Sequence, residues 1–67
     1  MKDELYNEAK KLVIAKQIGS APYLQRALRI GYFRAAILID QLEENGVLGE
    51  ADGAKPRKVL ISPEKEK

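Results

Sequence analysis

The residues of this chain best placed to do chemistry are cations. Lys55, Arg57 and Lys58 fall within four residues, beside Gly53 and Pro56, in the segment ADGAKPRKVLI. Cations on a turn tip can straddle a phosphate backbone or enter a minor groove. The same charges also keep the edge of a hairpin soluble and unpaired. A second group comprises Ser20, Gln25, Arg26 and Arg29. Free backbone N–H groups at a helix start near Ser20 suit a phosphate, and Gln25, Arg26 and Arg29 can add side-chain phosphate contacts. Ordinary solvated charges are the competing reading of both arginines. A third group is Phe33, Arg34, Ile37, Asp40, Gln41 and Glu44, which share the outer face of one predicted helix. Phe33 and Ile37 are four apart and so lie on one face. Such a pair can meet thymine methyl groups, bind another protein, or sit partly buried under the neighbouring loop.

Other chemistries find little support. The chain has no histidine and no cysteine, which excludes a Cys/His zinc site, a disulfide framework and the commonest catalytic bases and nucleophiles. Glu43 and Glu44 are adjacent on a predicted helix, point about 100° apart and read as solvated surface. No GxxxxGK[ST] phosphate loop is present. The expectation is a non-enzyme without metal or cofactor.

The elements that must position these residues are three helices and a small hairpin. The first helix is predicted over about 3–16, with Asp3 as N-cap and Leu5, Ala9, Leu12 and Val13 as its apolar stripe. Gly19 closes this segment, and Ile18 reads as a short strand entering the core. The second helix starts at Ser20, a strong N-cap, and tolerates Pro22 in its first turn. Its buried stripe is Leu24, Ala27 and Leu28. A tight turn follows at residues 29–31, with the left-handed conformation assigned to Gly31. The third helix spans 32–44 on Ala35, Leu38, Ile39 and Leu42, with Tyr32 and Ala36 beside them. Asn45 and Gly46 both accept a left-handed helix stop. Val47 and Leu48 begin a strand, Asp52 and Gly53 mark a turn, and residues 58–61 return as a second strand. This order predicts a mainly α fold with a small β-hairpin: a winged helix-turn-helix, whose usual task is to seat its second helix in the major groove of DNA.

Sixty-seven residues, 45% hydrophobic and 33% charged, make one small domain. It is expected to occupy residues 1–61, with 62–67 as a flexible polar tail. The core candidates are Leu5, Leu12, Val13, Ile18, Leu24, Leu28, Tyr32, Ala35, Ile39, Leu42, Val47, Leu48, Val59 and Ile61. The net charge of +2 leans weakly towards a polyanionic partner. Residues 32–44 run against it, with one Arg facing Asp40, Glu43 and Glu44. No apolar run approaches a membrane span and no charged-plus-apolar leader opens the sequence, so a cytoplasmic location without membrane contact is expected.

The stretch LQRALRIGYFRAAILIDQLEENGVLGEADGAKPRKVLI resembles the C-terminal gamma domain of the FtsK/SpoIIIE DNA translocases. The shared pattern is LQR-x-LRIGY-x-RAA, then a helix ending near a Gly, then a wing of the form GPADG-x-KPREVL, of which this chain keeps ADGAKPR. With DELYNEAKKLV upstream, the likeness covers roughly residues 3–61. It implies a winged helix that serves a hexameric, ATP-driven motor by binding short double-stranded DNA repeats that orient it on the chromosome. It also implies contact with a XerD-type tyrosine recombinase in some members. Arg34 matches a DNA-contacting Arg of the pattern, and Asp40 a position that is commonly acidic. The departures are Phe33, where a small or polar residue is usual, Ile37 in place of an Arg that contacts DNA, Lys58 in place of Glu, and Gly49-Glu50 in place of Gly-Pro. They leave the implied fold intact and bear on whether this chain reads the family's usual target sequence. A protein-interaction module on the same fold, binding a recombinase or its own copies, is the alternative function.

Overall fold

The computed structural model describes residues 4–51, 53 and 55–66. Its elements are α1 (Tyr6–Lys16), α2 (Ala21–Leu28), α3 (Tyr32–Glu44) and a 3-10 turn at Pro63–Glu66 that touches α1. The architecture is mainly helical with little strand. The core is shared by all three helices and by Val47 and Leu48 behind α3.

In α1 the buried residues are Tyr6, Ala9, Val13 and Ile14. Ala9 and Val13 belong to the expected stripe, but Leu5 and Leu12 are only half-buried. The inward face is thus turned towards Tyr6, whose hydroxyl accepts a 2.7 Å hydrogen bond from Asn45 Nδ2 just past α3. A tyrosine can go inside when its polar tip is satisfied in this way. The expected N-cap, Asp3, lies outside the described residues.

The end of α1 departs from expectation. Gln17, not Gly19, takes the left-handed conformation, at φ 57° and ψ 40°. Its side-chain Nε2 donates to Ile14 O at 2.7 Å and to Ile61 O at 3.0 Å. One amide therefore caps the helix and fastens the far end of the domain to it. The reversal at Gln17 leaves Ile18 37% exposed rather than in the core. Gly19 is buried for a different reason, close approach. A Cβ there would lie 2.6 Å from the backbone O of Arg57 and 2.8 Å from Leu48 Cδ2.

Ser20 caps α2 as its residue type predicts: its Oγ accepts the N–H of Tyr23 at 3.3 Å. Leu24 is fully buried and Leu28 packs at the core edge. Ala27 is exposed, against expectation, because the side packed on α3 is the one carrying Leu24 and Leu28, four residues apart. In the turn to α3 the left-handed residue is Arg29, at φ 57° and ψ 49°. Gly31 has φ −72° and ψ 162° as N-cap of α3. The turn's reversal thus falls two residues before the glycine expected to make it.

Ala35, Leu38, Ile39 and Leu42 are buried, as the helical period predicts. Tyr32 is 59% exposed rather than a core residue and lines a cleft beside the start of α2. The helix ends in a Schellman motif. Gly46, at φ 78°, donates to Glu43 O at 3.0 Å, and Val47 donates to Leu42 O at 2.9 Å. Asn45 stays at φ −93°, so Gly46 alone makes the reversal.

Where two hairpin strands were expected, isolated antiparallel bridges join Gly19 to Arg57 and Leu48 to Val59. Arg57 N–H donates to Gly19 O at 2.7 Å. Gly49 N–H donates to Lys58 O and Leu60 N–H to Val47 O, each at 2.8 Å. The returning segment thus lies between the α1–α2 link and the chain leaving α3. Val59 and Ile61 are half-buried against the core. Asp52, half of the expected turn, is outside the described residues, while Gly53 has φ 65°. No described helix is long and apolar enough to cross a membrane.

Candidate nucleic-acid interface

The outer face of α3 exists because its inner face is fully committed to the core. Phe33 is 79% exposed and Ile37 39% exposed. Arg34 and Asp40 are also exposed, while Gln41 is half-buried on the flank. Positions 33, 37 and 40 follow the i, i+4, i+7 spacing of one helical face. The structure therefore gathers Phe33, Ile37 and Asp40 in solvent, with Gln41, one turn beyond Ile37, half-buried at the edge of the same face.

A cleft of about 330 Å³ runs beside this face. One wall is the start of α2 at Ser20, Ala21 and Pro22, and another is Tyr32, Ala36 and Asp40 of α3. The third wall is the returning loop at Gly53, Lys55 and Pro56. Ser20 and Lys55, far apart in sequence, thus line one feature. The start of α2 has narrower phosphate-binding capacity than its sequence suggests. Pro22 has no N–H to offer, and that of Tyr23 is taken by Ser20 Oγ. Gln25 is half-buried, whereas Arg26 and Arg29 are exposed on α2 and at its end.

The three loop cations divide. Lys55 and Lys58 are exposed. The Arg57 side chain is only 16% exposed. Its Nη1 donates to Glu43 Oε1 at 2.7 Å and to Gly49 O at 3.1 Å, and its Nη2 lies 3.7 Å from Asp40 Oδ1. The sequence placed Arg57 at a solvated tip and Glu43 on a solvated surface; here they are ion-paired. A guanidinium suits this place, since its planar fork can serve several acceptors at once. The pairing left one trace in the sequence. Asp40 and Glu43 are three apart on a helix whose formal charge is −2, a surface that favours an incoming cation. Among the described residues no cluster of acidic side chains is arranged to hold a metal ion.

These features define a small module of three helices that shows exposed Lys55 and Lys58 on a returning loop and exposed Phe33 and Ile37 on α3. The model of the Ftsk gamma domain matches residues 1–62, and the chain belongs to that family. It is 57% identical over 63 residues to the DNA translocase SpoIIIE of Bacillus subtilis, a match covering 94% of this chain and 8% of that protein. It is 54% identical over 67 residues to the DNA translocase FtsK of Bacillus cereus, covering 100% of this chain and 8% of that protein. A third relative, the DNA translocase FtsK of Clostridium tetani, is 54% identical over 61 residues, covering 91% and 8%. The chain thus spans about 8% of the length of these relatives.

Proposed function

We propose that this chain binds double-stranded DNA and so orients a DNA translocase motor on short sequences. The observation that carries this reading is the family match over residues 1–62, together with relatives that are DNA translocases. In this reading residues 1–61 act as a winged helix-turn-helix unit, and 62–67 lie outside it. The outer face of α3 enters the major groove, where Phe33, Arg34, Ile37 and Asp40 meet base edges, with Gln41 at the margin. The segment returning through Lys55 and Lys58 serves as the wing and meets phosphates. Gln25 and Arg26 add backbone contacts from α2, with Ser20 contributing through the start of that helix rather than through its hydroxyl. Arg57 holds the wing against α3 instead of reaching DNA.

The module contributes recognition, and ATP-driven translocation belongs to a motor hexamer outside these residues. A XerD-type recombinase is a further partner implied by the family. The test is titration of the 67-residue chain with labelled duplexes, with and without G-rich repeats, from low to physiological salt. Binding should weaken linearly on a log–log salt plot, with a slope near 0.9 per phosphate neutralised. Absence of duplex binding at low salt would sink the reading.

A further inference from the structure

The major groove shows mostly hydrogen-bond donors and acceptors, and its one apolar group is the C5-methyl of thymine. Two apolar side chains of α3 stand on its outer face: Phe33 at 79% and Ile37 at 39% exposure, with exposed Arg34 between them in sequence. An arginine or asparagine at such a position would read a purine edge through paired hydrogen bonds, which neither Phe nor Ile can make. We infer that Phe33 and Ile37 are specificity residues that read thymine methyl groups, so that this chain prefers sites with thymines under α3.

The inference rests on the duplex-binding reading above and goes beyond it by naming the bases. Duplex is the favoured occupant of this face because the chain belongs to the Ftsk gamma domain family and its relatives are DNA translocases. The cleft along α3 is edged by Lys55 and the face itself carries Arg34. Of the acids on α3, Glu43 is engaged by Arg57 at 2.7 Å, whereas Asp40, 3.7 Å from the same guanidinium, keeps a 72% exposed side chain and Glu44 is exposed at the end of the helix. The acids fall at residue 40 and beyond and the apolar pair in the earlier turns, so the earlier turns are the part of α3 suited to methyl-bearing bases. Side chains four apart on a helix are roughly 6 Å apart at Cβ. Stacked base pairs rise about 3.4 Å. The two methyls therefore belong to thymines no more than two or three base pairs apart.

Replacing thymine by deoxyuridine removes the methyl and leaves every hydrogen-bonding group in place. Duplexes selected by the 67-residue chain from a random library should be enriched in thymine within one short window. Deoxyuridine at either position should weaken binding about three- to fourfold, the value of one buried methyl-sized group. Phe33→Ala and Ile37→Ala should each abolish discrimination at one of the two positions while leaving the salt slope unchanged. Phe33 is exposed enough that the melting temperature of Phe33→Ala should hold, and for Ile37, more than half covered, the retained salt slope separates lost reading from lost fold. Salt-dependent binding with equal affinity for thymine and deoxyuridine duplexes would overturn this inference and leave the proposed function standing. No duplex binding at low salt would overturn both. Concentration-dependent shifts of the Phe33 and Ile37 resonances without DNA would assign the face to self-association and overturn the inference as well.

Discussion

Arg57 joins parts of the chain that no helix connects. Its guanidinium reaches Glu43 and Asp40 on α3 and the carbonyl of Gly49 in the following turn. Hydrogen bonds to charged groups contribute about 1.5–3 kcal/mol when the site is shielded from water, and here the arginine is 16% exposed. Arg57→Ala should therefore lower stability by about 2 kcal/mol, read from the urea midpoint at unchanged m-value. Arg57→Lys should recover only part of this, because an ammonium cannot span the same acceptors. A loss within about 0.5 kcal/mol for Arg57→Ala would show that the contacts are idle. The identity of this residue was visible in the sequence, but its role was not. A cation among loop cations looks solvated until the path of the loop is known, and that path depends on bridges to Gly19 and Leu48.

At the scale of elements, local signals were legible where one residue type has one physical use. Ser20 caps α2, Gly46 reverses the chain after α3, and the inward stripe of α3 follows the helical period. Turns were less legible, because a left-handed residue need not be glycine. Gln17 and Arg29 hold that conformation, while Gly31 is an extended N-cap with open space around it. Gly31→Ser should therefore be stabilising by about 0.5–1 kcal/mol, through a better cap and a less flexible unfolded chain. Gly19→Ala should do the reverse, costing about 2 kcal/mol as the new methyl meets the Arg57 carbonyl. Thermal melts of the two variants should move in opposite directions, and a shared direction would contradict the geometry. The stripe of α1 was misplaced by a residue because Tyr6 finds a partner in Asn45, 39 positions away in sequence. The returning segment was legible as extended chain, yet it pairs through isolated bridges. The outer face of α3 was legible by subtraction once the core face was known, and this is why Phe33 and Ile37 could be placed outside.

For the whole molecule, a net charge of +2 says little about where cations are available. Arg57 is spent on internal contacts, whereas Lys55 and Lys58 are exposed. Lys55→Ala and Lys58→Ala should each reduce the salt slope of duplex binding by about one, with base preference and melting temperature unchanged. In a domain of this length each 1 kcal/mol of stability corresponds to about 4–8 °C, so fold effects and binding effects separate cleanly in a melt. The fastening of the returning loop to α3 has a consequence for association rates and affinities. A recognition surface built from two segments normally loses conformational entropy as both become ordered on the target. Here the bridges at Arg57 and Val59 and the Arg57 side chain already hold part of the returning segment in the free protein, so on the proposed reading less is left to order on a duplex. On the proposed reading, cutting the Arg57 link should then slow association and weaken every duplex by a similar factor, whatever its sequence.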